Sequence, residues 1–303
     1  MGDGRVNRAI QKGKARTTDM KTRVPELRER VPELRERVPE LTDELKSRGG
    51  ELARQYAKMD VSWARCSYAK AARAALLGFG LGPMIDYYVR NRVVGGEVFD
   101  KLAHPVIFVA NHSSHLDTPT ILRALPSKWR RRTAVTAAAD YFYTKRWMAN
   151  GVALLFNTVP LGRQGGGIGS GATDHVDHLL DEDWNLVMFP EGTRSRDGEI
   201  GKVRSGAAVI AAQHGIDIVP IYLSGTHEAM PPGQNWPQRI PGRFLSRRHE
   251  VEVRFGDPIR PRRAGDRHEV MDEVRAFWNR KGLAAPPVRE PQQAPEPEAV
   301  LAR

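Results

Sequence analysis

The sequence contains a single cysteine, Cys66, among its 303 residues. One thiol cannot form a disulfide within the chain, which excludes a small extracellular scaffold held together by disulfides. Cys66 has no histidine or second cysteine at metal-ligand spacing, and free cysteines are among the most buried side chains in proteins. We therefore expect Cys66 to be a buried structural thiol in a protein of a reducing compartment.

Long hydrophobic runs are also missing. The most apolar stretch near the N-terminus, residues 74–85, is shorter than the roughly 20 apolar residues that a membrane-spanning helix needs. The chain opens with a basic, polar segment, so we expect no secretory signal. Residues 59–88 mix apolar and aromatic side chains with cations, which is typical of an amphipathic helix. Such a helix can lie in a bilayer interface or pack on the core, and both interpretations stay open.

Acidic residues are too few to balance the basic ones: 36 stand against 47, which gives a net charge of +11. This excess predicts attraction to an anionic lipid surface or to nucleic acid. Residues 239–263 alone contain eight arginines and three acidic residues, a cluster that also suits an acidic carrier protein. Zinc-finger and RNP-type motifs are absent, so we expect no nucleic acid partner. A basic nucleic-acid-binding protein remains the alternative that explains the charge alone.

Composition divides the chain into three parts. Residues 1–58 combine a basic arm with the repeat RVPELRE, RVPELRE, RVPELTD at 23–43. Valine and leucine recur at coiled-coil spacing, but every repeat contains a proline, which costs about 3 kcal/mol inside a helix. We therefore predict a broken or partly disordered spacer. Residues 59–283 form the predicted folded domain, and the proline-rich residues 284–303 form a predicted disordered tail.

Beyond Val93, short runs of β-branched residues alternate with helix-like stretches. The predicted strands are residues 105–110, 132–137, 153–161, 185–189, 217–223 and 251–255. The predicted helices are residues 118–125, 173–180 and 205–214. This alternation predicts an α/β fold: a mostly parallel central sheet flanked by helices, with an N-terminal amphipathic helical segment and disordered termini. In such sheets ligands bind beyond the carboxyl ends of the strands.

Two histidines and an aspartate follow the first predicted strand, in FVANHSSHLD at 108–117. If a helix begins near Asp117, its carboxylate can reach the His112 imidazole, fix its tautomer and make the other ring nitrogen a general base. The alternative is that Asp117 only caps the helix. A metal site fits less well, because His112 and His115 have no third ligand at familiar spacing.

A second cluster, VMFPEGTRSRDG at 187–198, also ends a predicted strand. After Pro190 it presents Glu191, Gly192, Thr193 and Arg194. A guanidinium beside hydroxyl groups and a glycine-containing backbone can hold a phosphate. The alternative is a charged surface turn.

NHSSHLD and FPEGTRS together resemble the first and third signatures of the glycerolipid acyltransferase family, which includes 1-acylglycerol-3-phosphate acyltransferases. NTVPLGR at 157–163 resembles the second signature and IVPIYL at 218–223 the fourth, so the resemblance covers roughly residues 102–257. Two positions depart from the second signature. Asn157 stands where glycine is frequent, and Gly162 stands where an aspartate often precedes the arginine, which leaves the acceptor's identity open.

The resemblance implies that residues 59–283 are an O-acyltransferase domain in which His112 is the general base and Asp117 orients it. The substrate-binding residues that it implies are Arg163, Glu191, Gly192, Thr193, Arg194 and Pro220. Both arginines would hold the acceptor phosphate, and Glu191 would hold a glycerol hydroxyl or orient Arg194. No metal and no tightly bound cofactor are required.

The co-substrate implied by the resemblance is an acyl thioester of coenzyme A or of acyl carrier protein. The leading acceptor is 1-acylglycerol 3-phosphate, which would give phosphatidic acid, while another lysolipid, glycerol 3-phosphate or a glycolipid is the alternative. With the basic excess, this predicts a peripheral or monotopic protein on the cytoplasmic face of the cell membrane. A hydrolase that uses Ser113 or Ser114 as nucleophile ranks low, because the chain has no G-x-S-x-G motif.

Overall fold

The computed structural model describes residues 61–138, 146–161, 174–242, 246–261 and 263–280. The basic arm, the seven-residue repeat and the C-terminal tail lie outside these ranges, as does Arg163.

A helical stretch precedes the sheet. The 3-10 turn Ser62–Arg65 leads into helix α1 (Ser67–Ala75), the π-helical segment Leu76–Leu81 and helix α2 (Gly82–Tyr88). Alanine, the strongest helix former, fills most of α1. In the described part of the chain, no helix combines the length and the hydropathy needed to cross a bilayer.

This helical stretch has two apolar faces. One packs on the rest of the protein through buried residues such as Leu77 and Ile85. The other is exposed to solvent, and we call it the exposed stripe; its members are Tyr68, Leu76, Phe79 and Tyr87. The stretch therefore packs on the core, as one interpretation of residues 59–88 predicts, and the exposed stripe keeps the membrane interpretation open.

The sheet has seven strands in the order β1-β7-β6-β2-β5-β3-β4. The strands are β1 (Val89–Val94), β2 (Val106–Ala110), β3 (Thr133–Ala138), β4 (Thr158–Leu161), β5 (Asn185–Met188), β6 (Asp217–Ser224) and β7 (His249–Phe255). Five neighbouring pairs are parallel, and only β6 and β7 are antiparallel. The predicted α/β fold with a mostly parallel sheet is confirmed.

Helices connect these strands. They are α3 (Asp117–Ala124), α4 (Ser127–Arg130), α5 (Arg146–Phe156), α6 (Asp174–Asp181), α7 (Gly206–His214), α8 (Thr226–Ala229) and α9 (Arg267–Asn279), with 3-10 turns at Gly96–Asp100 and Ala264–Asp266.

Both faces of the sheet are covered. Strand β2 is buried at every position, and its side chains alternate between two hydrophobic cores. Ile107 and Val109 pack with residues of α6, α7 and α9, whereas Val106 and Phe108 pack with residues of α3 and α4. Burial on both faces explains why the sequence of this strand is a continuous apolar run, which is usual for strands of parallel sheets.

Two local predictions were wrong, and one strand was not predicted. Residues 153–156 belong to helix α5 and not to a strand, because a short apolar run is compatible with either structure. Strand β1 escaped prediction since it lies at the sheet edge, where arginines replace the apolar pattern. Cys66 is exposed instead of buried: it precedes α1, and its Sγ accepts a hydrogen bond from the backbone N–H of Ala69 at 3.5 Å.

Candidate active site

The two sequence clusters meet at one edge of the sheet. Strands β2 and β5 are parallel neighbours, with Val109 paired to Met188 near their carboxyl ends. The chain leaves β2 towards His112 and leaves β5 towards Glu191, so both loops emerge side by side. A backbone hydrogen bond of 2.8 Å from the N–H of Ser195 to the carbonyl oxygen of His112 joins the loops directly.

His112 and Asp117 form a close pair. Nδ1 of His112 lies 2.8 Å from Oδ2 of Asp117, which is fully buried. The same oxygen accepts the backbone N–H groups of Ser113 at 2.7 Å and Ser114 at 2.8 Å. Asp117 is the first residue of α3, and its side chain makes no capping bond to that helix. The local alternative of a simple helix cap therefore does not describe this carboxylate.

This contact decides which ring nitrogen of His112 is available for chemistry. With Nδ1 directed at a carboxylate, the ring carries its proton on Nδ1 and leaves Nε2 as the basic nitrogen. The ring also stacks on Phe189, with centroids 4.1 Å apart and an angle of 25° between planes. The His112 side chain is 20% exposed and lines a cavity. The arrangement can accept a proton from a group bound there.

Glu191 connects three segments of the site. Its Oε1 accepts the backbone N–H of His112 at 2.8 Å, and its Oε2 accepts the backbone N–H of Gly201 at 2.8 Å. Burial raises the pKa of Glu191, while the hydrogen bonds from Gly201 and His112 act in the opposite direction. Both carboxylate oxygens are thus engaged by the protein backbone, in a place where the sequence predicted a contact with substrate or with Arg194.

Asn111, the residue before His112, bridges two strands. Its Nδ2 donates to the carbonyl oxygen of Leu223 in β6 at 3.0 Å, and its Oδ1 accepts the N–H of Leu223 at 2.7 Å. This buried amide fastens the end of β2 to β6. Sequence reasoning missed this role, although an asparagine between a buried strand and a histidine was a usable signal.

Ser113 and Ser114, the two serines of NHSSHLD, are buried, and their hydroxyl groups contact other residues of the protein. Ser114 is fully buried, and its Oγ donates to the carbonyl oxygen of Met230 at 2.7 Å. Ser113 is 5% exposed, and its Oγ lies 3.3 Å from Oγ1 of Thr226. Neither hydroxyl is paired with the His112 ring, so the geometry does not support either serine as a nucleophile.

A cavity of about 490 Å³ opens beside His112. Most of its lining is apolar, including Leu81, Met84, Leu116, Pro119, Val135, Ala137, Val152, Phe156, Leu161, Phe189, Met230, Trp236 and Pro237. The polar lining includes His112, His115, Thr118, Thr136, Thr158, Thr193, Arg194 and Asn235. A ligand with an apolar part and a polar end suits such a lining.

Gly192, Thr193 and Arg194 all line this cavity together with His112. Gly192 has φ = 71°, a left-handed conformation that glycine adopts without strain. That turn directs the chain from Glu191, which faces the backbone, to Arg194, which faces the cavity.

His115 also lines the cavity and was considered from the sequence only as a metal ligand. Burial, and then the electrostatic influence of Arg194 and His112, lower the pKa of His115 to about 4. The side chain is therefore neutral at physiological pH. Within the described residues, no group of three or more His, Cys, Asp and Glu side chains is placed to hold a metal ion.

The predicted substrate-binding residues Glu191 and Pro220 are not among the described residues that line the cavity. Arg163 lies outside the described residues. Pro220 lies inside β6, where a Cβ added to Gly256 would come within 2.7 Å of its ring, so Pro220 packs close to that glycine.

Arg73 fixes one wall of the cavity to the N-terminal helices. Its guanidinium, in α1, donates to the carbonyl oxygens of Leu154 at 2.8 Å and Ala153 at 3.0 Å, near the end of α5. A third bond reaches the carbonyl of Ala64 at 2.7 Å. Burial, and then the nearby charge of Arg65, lowers the pKa of Arg73 to about 10, and the side chain remains cationic.

Comparison with known proteins agrees with this site. The family model described as "Acyltransferase" matches residues 90–224, which include both strand-end loops. The chain is 33% identical over 130 residues to a chloroplastic 1-acyl-sn-glycerol-3-phosphate acyltransferase of Arabidopsis thaliana, covering 43% of this chain and 34% of the relative. It is also 33% identical over 147 residues to a chloroplastic 1-acyl-sn-glycerol-3-phosphate acyltransferase of Brassica napus, covering 48% of this chain and 40% of the relative.

A solved structure shares the fold. The crystal structure of the 1-acyl-sn-glycerophosphate acyltransferase of Thermotoga maritima matches with a TM-score of 0.51 and 21% identity, over 78% of this chain and 90% of that one. The chain spans only 34% and 40% of the length of the two plant relatives. Residues 90–224 thus match the acyltransferase family model, and the chain is similar to these acyltransferases over part of its length.

Proposed function

We propose that this protein transfers a fatty acyl group from an acyl thioester of coenzyme A or of acyl carrier protein to a hydroxyl group of 1-acylglycerol 3-phosphate. The product would be phosphatidic acid, so the protein would act in phospholipid biosynthesis. One observation carries the proposal: His112, paired with the buried Asp117, shares the lining of one largely apolar cavity with Arg194. The names of the similar plant proteins support the choice of acceptor.

The proposed reaction needs no covalent enzyme intermediate. Nε2 of His112 takes the proton of the acceptor hydroxyl as its oxygen attacks the thioester carbonyl carbon. The tetrahedral intermediate then collapses, the carbon–sulfur bond breaks, and the imidazolium returns the proton to the leaving thiolate. General-base assistance of this kind contributes about 10²–10⁴ in rate. Asp117 stabilises the imidazolium through the 2.8 Å contact with Nδ1.

The acceptor phosphate is assigned to the loop that follows β5. Arg194 and Thr193 line the cavity beside His112 and can donate to a phosphate oxygen. Arg163, from the second sequence signature, is the proposed second cation. Gly192 allows the turn that directs Thr193 and Arg194 towards the cavity. Glu191 acts here as a positioning residue, because both its oxygens already accept backbone N–H groups. Pro220 is not part of the proposed site.

We place the protein at a membrane surface, as a peripheral or monotopic protein on the cytoplasmic face of the cell membrane. The exposed stripe supports this placement: Phe79 is 90% and Tyr68 is 89% exposed, and large exposed apolar side chains along one helical stretch suit an interfacial helix. The net charge of +11 suits an anionic lipid surface.

The direct test is an acyl-transfer assay. Purified protein is incubated with an acyl donor that carries a labelled acyl group, either acyl-coenzyme A or an acyl thioester of acyl carrier protein. Each donor is tested with a panel of acceptors: 1-acylglycerol 3-phosphate, glycerol 3-phosphate, other lysophospholipids and a glycolipid. We expect labelled phosphatidic acid, and we expect His112→Ala to abolish it without changing the thermal unfolding temperature.

Other outcomes of that assay separate the alternatives. Substantial turnover by His112→Ala would contradict the base assignment. Label on a different lysolipid or on a glycolipid would move the proposal to that acceptor. Free fatty acid without acylated acceptor would indicate a hydrolase, and salt-sensitive DNA binding without acyl transfer would indicate a nucleic-acid-binding protein.

A further inference from the structure

A second concave surface, an open groove of about 600 Å³, lies beside α2. Its lining consists of Pro83, Asp86, Tyr87, Arg239 and Arg248. The carboxylate of Asp86 is paired with Arg123 of α3 at 2.6 Å. The charge of Asp86 is therefore balanced from outside the groove, and the two arginines leave the groove positive. We call it the arginine groove.

Among the described residues, each guanidinium donates one hydrogen bond, and that of Arg239 also lies over an aromatic ring. Cζ of Arg239 lies 4.6 Å above the ring centre of Tyr87, and its Nη2 donates to the carbonyl oxygen of Ser246 at 2.7 Å. Its Nε is buried and has no hydrogen-bond partner among the described residues. Arg248 donates through Nη1 to the carbonyl oxygen of Asp86 at 3.1 Å. A guanidinium has five N–H donors, and the hydrogen bonds to described residues use one Nη donor of each arginine, so other Nη donors can meet an anion.

The arginine groove adjoins both the exposed stripe and the cavity. Tyr87 ends the exposed stripe and lines the groove, and it is 57% exposed. Leu81, which ends the π-helical segment, and Met84 of α2 line the cavity together with Trp236. Nε1 of Trp236 donates to the Tyr88 hydroxyl at 2.7 Å and ties that wall to α2. A bilayer that covered the exposed stripe would bring its headgroups to the arginines.

We propose that the arginine groove binds the phosphate of an anionic phospholipid headgroup and thereby fixes the cavity against the membrane surface. This inference depends on the membrane placement proposed above. Exposed aromatic side chains beside arginines are typical of the lipid–water interface, where the ring reaches the acyl boundary and the cation meets phosphate. An acidic carrier protein would meet the same charges, but the neighbouring apolar stripe favours lipid.

The test is a vesicle-binding measurement with the full chain. Sedimentation with phosphatidylcholine vesicles and with vesicles containing one third phosphatidylglycerol gives the partition constants of wild type and of Arg239→Gln/Arg248→Gln. A basic residue near an anionic surface contributes about fivefold in partitioning, so we expect the double variant to lose roughly 30-fold on anionic vesicles. Binding to neutral vesicles should not change.

Arg275→Gln is the control for Arg248→Gln, because this exposed arginine of α9 does not line the groove and its loss also removes one positive charge. We expect less than a twofold change from it. If Arg239→Gln/Arg248→Gln does not fold, as judged by circular dichroism, Arg248→Gln alone removes one exposed side chain and should lose about fivefold.

The outcomes distinguish this inference from the proposed function. Equal binding of anionic vesicles by the double variant and Arg275→Gln would overturn the headgroup site and leave the membrane placement intact. Wild type that bound neither kind of vesicle would overturn both. Loss of binding to acyl carrier protein, with vesicle binding retained, would overturn the lipid assignment in favour of a protein partner. The proposed acyl transfer is tested in the separate assay described above, which uses none of these arginine variants.

Discussion

Oδ2 of Asp117 lies 2.8 Å from Nδ1 of His112 and also accepts two backbone N–H groups from the turn between these residues. One buried oxygen therefore fixes both the ring and the backbone that carries it. Its partner Oδ1 is buried without a hydrogen-bond partner among the described residues. The position of the proposed base depends on this single carboxylate more than on any other contact in the site.

Asp117→Asn should keep the fold and lose most of the activity. An amide oxygen can still accept N–H groups from the turn, but a neutral side chain stabilises the imidazolium far less than a carboxylate does. We expect kcat to fall by about 10²–10⁴, in the range of lost general-base catalysis, with a small change in thermal unfolding. Asp272→Asn, an exposed change on α9, is the control. A decrease of less than tenfold would contradict the pairing.

Glu191→Gln tests whether Glu191 positions the loops or binds substrate. A glutamine has one acceptor oxygen, so it can satisfy the N–H of His112 or that of Gly201 but places an NH₂ group against the other. A buried N–H left without a partner costs about 1–3 kcal/mol, and we expect the free energy of unfolding to fall by that amount. Urea denaturation measures it. In kinetics, kcat should fall while KM for the acceptor changes little.

The opposite kinetic pattern would contradict a positioning role. If Glu191→Gln raised KM for the acceptor with kcat and stability unchanged, Glu191 would contact the acceptor directly, as the sequence comparison alone suggested.

His115 makes the stability of the protein depend on pH. Its pKa is about 4 in the folded protein, against 6.5 for an unperturbed histidine, because the folded state disfavours the charged ring. Between these values the unfolded chain binds a proton that the folded chain does not. The free energy of unfolding therefore falls as pH is lowered through this window. Neutral glutamine cannot take that proton.

Urea denaturation of wild type and His115→Gln at pH 7.5, 6.0 and 5.0 checks this prediction. Wild type should lose more stability than the variant between pH 7.5 and 5.0. Parallel losses in the two proteins would show that His115 is not the group responsible.

The proximity of the loops that follow β2 and β5 could be predicted from the sequence, whereas the hydrogen bonds that hold these loops in place could not. Carboxyl ends of parallel strands lie at one edge of a sheet, so a prediction of strands before His112 and before Glu191 brings both clusters together. The bond from Asn111 to Leu223 and the bond from Glu191 to Gly201 join segments that no local pattern relates. The low pKa of His115 likewise depends on burial by distant residues. Such contacts follow from packing, which periodicity and spacing do not encode.

The backbone conformation of Asn157 explains why asparagine can replace glycine at this position of the second sequence signature. It stands where the family often has glycine, and it has φ = 52°, in the left-handed region that glycine and asparagine tolerate best. Its Nδ2 also donates to the carbonyl oxygen of Thr133 at 3.1 Å, at the beginning of β3. The turn between α5 and β4 therefore requires this backbone conformation, and the amide adds one tie to the neighbouring strand.

Asn157→Gly and Asn157→Ala form a matched pair that separates these two contributions. Glycine loses the hydrogen bond to Thr133 but keeps the left-handed backbone without strain. Alanine loses the same bond and adds about 1 kcal/mol or more for the unfavourable φ. We expect alanine to lower the free energy of unfolding more than glycine by that difference, measured by urea denaturation. If the two variants were equally stable, the positive φ would not be the reason for asparagine here.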